Sequence, residues 1–326
     1  MRQRRASLAH SCTPQIPLDH GTDGRQSLSP AARGGNAVTS NEHDRELGQF
    51  IPLHYHYNML NDRSRVNGFR SAIDRIVRPD DKVLELGGGT GVLSFFAARQ
   101  ASRVYYVERN PELIEAARTI LGQNSGTERI EIVQADAFDY LPPEPVDVVI
   151  CEMLHVGLVR EQQLPVLASF KERYAARFGP PLPRFVPEGV IQAIQPVQQD
   201  FDFAGYYAPT TQFQDPAVVQ LATRPLGAPV VYQRFTYDQD FPLVCEWAGE
   251  VPISDAGKLN AVRIITKNIL AIFLDDRTTI DWWNQYMIVP LAKAIEVNGG
   301  DVLRVALQYA AGGPLADLRP VVSLLA

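Results

Sequence analysis

At 326 residues the chain is long enough for two modest domains, and a hydrophobic content of 45% supplies a core for them. Its formal net charge of −6 offers no overall positive field to nucleic acid, and no apolar run reaches the roughly 18 residues that span a bilayer. Cys12, Cys151 and Cys245 stand far apart, which excludes a disulfide framework and metal-ligand spacing and fits a reducing cytoplasm.

Residues 1–45 are rich in Ser, Gly, Pro, Thr and Arg and lack apolar periodicity, so a disordered leader is expected there. Its basic start has no apolar h-region and reads as a solvated tail, not a secretory signal. From about 47 to 78 the pattern turns helical, with Phe69, Ala72, Ile73 and Ile76 at three- and four-residue steps. KVLEL (Lys82 to Leu86) is a predicted buried strand, and Val92 to Gln100 a helix. RVYYVE (Arg103 to Glu108) is the second strand, and Pro111 stands where a helix favours its first residue. RIEIVQA (Arg129 to Ala135) and VDVVICE (Val146 to Glu152) complete four strands. This βαβαβ rhythm implies a parallel sheet with right-handed crossovers and helices on both faces.

FGPPLPRFVPEG, starting at Phe178, is dense in Pro and Gly and marks a boundary. It divides a first domain over 46–180 from a second over 181–326. In the second, VIQAIQPV, VVYQRFTY, VRIITKNILAIFL and DVLRVALQY read as strands, so that domain is expected to be β-rich and barrel-like.

The chemistry begins at Glu85-Leu86-Gly87-Gly88-Gly89-Thr90-Gly91, which follows a strand and opens a helix. Gly87, Gly89 and Gly91 permit a tight turn and a close approach of a ligand to the backbone. Glu108 ends the next strand, seventeen residues past Gly91, where a carboxylate can accept both ribose hydroxyls. Asp136, just after the third strand, is placed to meet an adenine edge. A nicotinamide-binding Rossmann domain would share the glycines and the acid. The E-x-G-x-G-x-G order, with Glu85 available to a methionine ammonium, favours S-adenosylmethionine instead. So do the helical segment before the motif and the Gln-Ala-Asp after strand three, as in class I methyltransferases.

Strand four ends at Cys151-Glu152, and Glu161 follows nine residues later. Ligands bind beyond the carboxyl ends of parallel strands, so a loop starting at Glu152 hangs over the transferable methyl. Two carboxylates on one short loop are costly unless a cation sits between them, and a planar guanidinium fork suits that place. Trp282 and Trp283 are candidates for stacking on such a cation. His155 and Asp281 are candidate proton acceptors. His54 and His56 flank Tyr55 without nearby acids, so no metal site is expected.

In HYNMLNDRSRV, LELGGGTGVLSFFAA, VYYVE and the acid-bracketed loop, the chain resembles the protein arginine methyltransferase family, well over residues 50–190 and loosely beyond. The resemblance implies a Rossmann-like methyltransferase domain followed by a β-barrel. It makes Glu152 and Glu161 the catalytic pair that grips the guanidino group. Arg65, in the D-x-x-R pattern from Asp62, would bind the methionine carboxylate; His56 and Met59 would line the cofactor pocket, and Glu108 would hold the ribose. The implied arm of a head-to-tail homodimer corresponds to FDFAGYYAPTTQFQDP.

Departures from the family cluster at the substrate mouth. The N-terminal Tyr-Phe-x-x-Tyr helix is not evident, with Phe50 where its last tyrosine would stand. Asp281-Trp282-Trp283 replaces Thr-His-Trp and keeps Trp283 as a substrate-binding indole. Leu154-His155-Val156 replaces Met-Gly-Tyr. This profile is similar to that of small bacterial relatives that methylate free L-arginine for natural-product biosynthesis. Free L-arginine is therefore favoured slightly over peptidyl arginine. Another small amine or hydroxyl substrate, and a silent cofactor-binding scaffold, are the remaining readings.

Overall fold

A computed structural model describes residues 51–325. The leader expected over 1–45, Cys12 and Phe50 lie outside the described residues. The described chain opens with α1 (Leu53–Asn61) and α2 (Arg63–Ile76). Asp62 separates them and caps the second, its side chain accepting from the Arg65 amide at 2.9 Å. That bond satisfies one of the amides a helix start leaves free. The apolar stripe Phe69, Ala72, Ile73 and Ile76 is buried as its spacing predicts.

Strands β1 (Lys82–Leu86), β2 (Arg103–Glu108), β3 (Ile130–Gln134), β4 (Val148–Cys151) and β5 (Arg184–Val186) form one sheet in the order β3-β2-β1-β4-β5. Every neighbouring pair is parallel. The helices α3 (Val92–Ala98), α4 (Pro111–Gly122) and α5 (Gln163–Phe178) follow β1, β2 and β4. Pro111 is the first residue of α4, with Asn110 as its cap. Strand order reverses between β1 and β4, so a crevice opens between the loops that leave their carboxyl ends.

The Pro-rich stretch predicts a change of domain near 180. In the structure its prolines turn the chain back onto the parallel sheet as β5, and the antiparallel part begins only at Gly189. That part comprises β6 (Gly189–Gln199), β7 (Asp202–Phe203), β8 (Tyr206–Tyr207), β9 (Gln212–Gln214), β10 (Thr223–Pro225) and β11 (Val230–Thr236). It continues with β12 (Val244–Pro252), β13 (Gly257–Phe273), β14 (Thr278–Trp283), β15 (Tyr286–Val297), β16 (Val302–Ala310) and β17 (Val321–Leu324).

A seven-stranded sheet is built around β6, β13 and β15, and a three-stranded sheet runs β12-β16-β17. The Tyr232 and Tyr309 hydroxyls meet at 2.8 Å between β11 and β16 and tie the two sheets. The chain is thus a Rossmann-like α/β domain with a parallel sheet followed by an antiparallel β-rich domain. One apolar cluster runs from Phe69 and Leu86 through Ile150 and Val156 to Ile264 and Leu303. The loop after β4 is therefore set into the core shared by both parts. Among the described residues no helix is long and apolar enough to cross a membrane.

Candidate active site

The glycine loop after β1 is pinned to β2. Gly87 and Gly88 both donate to the Val107 carbonyl at 2.9 Å, and the Gly89 amide donates to Glu108 Oε2 at 3.0 Å. Gly87, Gly89 and Gly91 all have left-handed φ angles. Gly88 does not, and it is glycine for another reason: a Cβ there would lie 2.2 Å from the Tyr106 ring. The same tyrosine donates its hydroxyl to the Gly89 carbonyl at 2.6 Å. Tyr106 therefore both supports and shapes the loop, a role that its place in the apolar run RVYYVE does not disclose.

Three carboxylates border this loop. Glu85, at the end of β1, accepts the amide of Ser94 at 2.8 Å and also its hydroxyl, holding the first turn of α3. Burial pushes its carboxyl up to about 8; the Ser94 donors oppose that shift and the charge of Glu108 adds to it. Glu108 accepts from the Arg109 and Asn110 amides at 2.8 Å through Oε1. Asp136 accepts from the Phe138 amide at 3.0 Å and pairs with Arg109 at 3.1 Å. Local amides thus set the direction of the last two side chains and leave lone pairs for a ligand.

Across the pocket, α1 and α2 bring His56, Met59 and Arg65. The His56 ring lies against Gly89, and its Nε2 is buried without a partner. Burial, with the charge of Arg65, lowers its pKa and leaves a neutral imidazole at pH 7. Arg65 pairs with Glu152 through Nη2 and Oε2. Trp282 supports it from β14: the indole N–H donates to Asp62 at 3.2 Å, and its ring lies 5.0 Å from the Arg65 guanidinium carbon.

The loop from Glu152 to Glu161 is stiff for reasons that can be named. At its start Gln163 clamps the end of β4, accepting from the Met153 amide at 2.9 Å and donating to the Cys151 carbonyl at 2.8 Å. Its middle is braced by the β-rich part, where Thr266 accepts the Gly157 amide at 2.8 Å and Asn284 donates to the Leu154 carbonyl at 3.0 Å. The Arg160 amide donates to the Gly313 carbonyl at 2.8 Å. Leu154, Val156, Leu158 and Val159 are buried as anchors. Leu158 and Arg160 hold left-handed φ angles of 57° and 66°. Such a conformation costs a non-glycine residue about 1–2 kcal/mol, and it persists only where surrounding contacts enforce it. Glu152 Oε1 is left buried with no partner. Burial pushes the Glu161 carboxyl up, against the pull of Arg65 and Arg160.

The structure gathers His56, Met59 and Arg65 with Glu85, Gly87, Gly89, Glu108, Asp136, Glu152 and Glu161 around one pocket. Gly91, His155, Asp281, Trp282 and Trp283, all singled out in the sequence, stand outside it. Gly91 caps α3. Trp283 is 45% exposed over Lys267, whereas Trp282, at 3%, is the buried indole beside Arg65. The strand alternation of β14 decides which indole turns inward. Asp281 pairs with Lys267 at 2.7 Å, and His155 donates through Nδ1 to the Val156 carbonyl at 3.0 Å, its pKa pushed down to about 4 by burial. Neither lines the pocket, so neither is placed to take a proton there. The sequence reading missed Tyr106 and Gln163, and of the two indoles it named as stacking candidates it chose Trp283 for the substrate, whereas Trp282 is the one beside Arg65. Among the described residues no group of three His, Cys, Asp or Glu side chains could hold a metal ion.

Comparison with known proteins adds four findings. Residues 83–174 match the family described as a methyltransferase domain. An uncharacterized protein of Methanothermobacter thermautotrophicus is 31% identical over 262 residues, covering 80% of this chain and 94% of that one. An arginine N(omega)-methyltransferase of Streptomyces achromogenes subsp. streptozoticus is 32% identical over 134 residues, 40% of this chain and 37% of that one. Among solved structures, the PRMT1 enzyme–prozyme heterotetrameric complex of Trypanosoma brucei with AdoHcy is similar with a TM-score of 0.64. It is 15% identical and covers 83% of this chain and 97% of that chain, a likeness of fold.

The cofactor of this fold is S-adenosylmethionine, and the pocket fits it. Arg65 would offer a cation to its carboxylate, and Glu108 would have lone pairs left for its ribose. The left-handed glycines and the unpartnered His56 nitrogen leave a cradle that a side chain would fill.

Proposed function

We propose that this chain, which belongs to the protein arginine methyltransferase-like family of class I methyltransferases, methylates a guanidino nitrogen, with free L-arginine as its substrate. The observation that carries the reading is internal. A guanidinium, that of Arg65, already sits on Glu152, and a second buried carboxylate, Glu161, borders the same pocket. The free amino acid is favoured because the segment Leu154-His155-Val156 turns its two apolar residues into the core. The segment itself offers no exposed aromatic side chain to a peptide. The exposed Phe203, Tyr206 and Tyr207 on the β7–β8 hairpin support reading that segment as a homodimer arm.

S-adenosylmethionine, when bound, supplies an electrophilic methyl group on a positively charged sulfur. The residues of the chain supply placement and charge. Glu152 and Glu161 hold the guanidinium by charge-assisted bonds, which fix its plane and turn one nitrogen toward the methyl. Positioning of this kind is worth roughly 7–11 kcal/mol of a displacement barrier. The pair also draws positive charge onto the nitrogens it bonds, leaving electron density on the attacking one. Transfer of the methyl to that nitrogen would break its bond to sulfur and leave S-adenosylhomocysteine, and the methylated nitrogen would give up a proton. Glu161, its carboxyl pushed up by burial, is the pocket group suited to take it.

Incubation of the full chain with methyl-labelled cofactor and either L-arginine or arginine-bearing peptides tests the assignment. Labelled methylarginine is the expected product. Label in peptide alone would move the substrate to peptidyl arginine, and label in neither would remove the guanidino reading.

Glu85 gives the cofactor site a pH dependence. With its carboxyl raised from 4.5 to about 8, the ligand-free fold binds a proton that the unfolded chain releases. The stability it contributes is therefore complete below about pH 4.5 and lost as pH rises through 8. A cofactor ammonium favours the carboxylate, so affinity for S-adenosylhomocysteine is expected to rise from about pH 6 to about pH 8, by at most about tenfold per unit. Calorimetric titration across that range checks it. The rise should flatten in Glu85→Gln, and a flat wild-type profile would detach Glu85 from the ammonium.

A further inference from the structure

Arg65 borders both the cofactor side of the pocket and the acid loop, and it is held at its base. Its amide donates to one oxygen of Asp62, the Trp282 indole donates to the other, and the indole ring lies beside the guanidinium. These contacts fix the stem and leave the head to select an anion. In this structure it selects Glu152, with Arg65 14% and Glu152 10% exposed. The second oxygen of Glu152 stays buried without a partner. The carboxylate assigned to a substrate guanidinium is thus covered by an internal one.

We propose that this contact is a latch: Arg65 covers Glu152 until its guanidinium turns to the cofactor's carboxylate, so the second substrate's site forms only in the cofactor-loaded enzyme. The inference rests on the reading of Glu152 and Glu161 as a guanidino grip. Its physics is competition of two anions for one cation. Burial lowers the pKa of Arg65 only to about 10, with Glu161 and Asp62 opposing, so it is charged at neutral pH and must face an anion in either state. Once it leaves, Glu152 and Glu161 border the pocket with no cation between them. An uncompensated buried charge is strongly unfavourable, and a guanidinium arriving from solution relieves it. By linkage, the second substrate then tightens cofactor binding by the same factor.

Titration of the full chain with S-adenosylhomocysteine reads the latch without any second substrate. Glu152→Gln deprives Arg65 of its internal anion and is expected to tighten S-adenosylhomocysteine about tenfold, ~1.4 kcal/mol. The same change in an Arg65→Met background is expected to give no gain. Unchanged or weaker affinity in Glu152→Gln overturns the latch. L-arginine is expected to bind wild-type enzyme about thirtyfold tighter with S-adenosylhomocysteine present than without it. Equal affinities for the two forms also overturn the latch. If L-arginine binds neither form while Glu152→Gln still tightens S-adenosylhomocysteine, the latch stands and the guanidino reading fails.

Discussion

Glu161→Gln is expected to lower kcat by about 10²–10³-fold while shifting the Kd for S-adenosylhomocysteine by no more than about threefold. The substitution keeps the shape of the side chain and removes one of the two negative charges that flank the reacting nitrogen. Breaking a buried ion pair by neutralising one partner costs about 3–5 kcal/mol, and this pair is needed most when positive charge gathers on the guanidino group. The loss should therefore appear in kcat and kcat/KM together, the signature of an interaction made in the transition state.

Stability should move the other way. Burial raises the Glu161 carboxyl in the ligand-free fold, so the stability this group contributes is present at low pH and lost as pH rises through the folded pKa. At pH 7.5 the neutral amide removes that penalty, and the melting temperature of Glu161→Gln should equal or exceed that of the wild type. A variant that melts higher and turns over a hundredfold slower cannot be explained by misfolding. Turnover within threefold of wild type would remove Glu161 from the guanidino grip.

The same contrast explains how much of this protein can be read from its residues in order. The strands of the parallel sheet were legible because buried parallel strands are short apolar runs between helical stretches, and β1, β2 and the start of α4 fall where KVLEL, RVYYVE and Pro111 put them. Pocket positions fixed by local sequence were legible too: the glycine loop, Glu85 next to it, Glu108 at a strand end, and Glu152 directly after β4 all border one pocket. What was not legible depends on long-range packing. Gln163 clamps Cys151 and Met153 from the first turn of α5, and a glutamine opening a helix carries no mark of it. Trp282 and Trp283 are adjacent and chemically alike, and only the strand register, with Trp282 opposite Asn268 and Trp283 opposite Lys267, decides which one reaches Arg65. The three-residue β5 was hidden by prolines that look like an exit from the sheet.

Tyr106 belongs to that hidden class, and it makes Gly88→Ala the most disruptive small change expected in the cofactor site. The methyl added at Gly88 would fall 2.2, 2.3 and 2.9 Å from three carbons of the Tyr106 ring. The ring cannot swing aside, because it is fully buried in a cluster with Ile114, Ala117 and Leu121 and its hydroxyl is bonded to Gly89. The loop must therefore move away from β2. That motion breaks the Gly88–Val107 and Gly89–Glu108 bonds and parts the glycine loop from Glu108, which the Arg109 and Asn110 amides hold in place. Overpacking of a buried site costs about 1–3 kcal/mol of stability. The larger effect should fall on function, where a misplacement of about 1 Å is worth on the order of 10²-fold. Binding of S-adenosylhomocysteine is expected to weaken at least about a hundredfold, with a modest fall in melting temperature. Gly122→Ala is the matched control, since its added carbon meets nothing within 4 Å in the last turn of α4. It should leave binding intact and raise stability by about 0.4–1 kcal/mol through a less flexible unfolded chain. Titration and melting of both variants separate the alternatives. If Gly88→Ala binds as tightly as Gly122→Ala, the loop is not braced by Tyr106, and the rigid cofactor cradle inferred from these contacts does not exist.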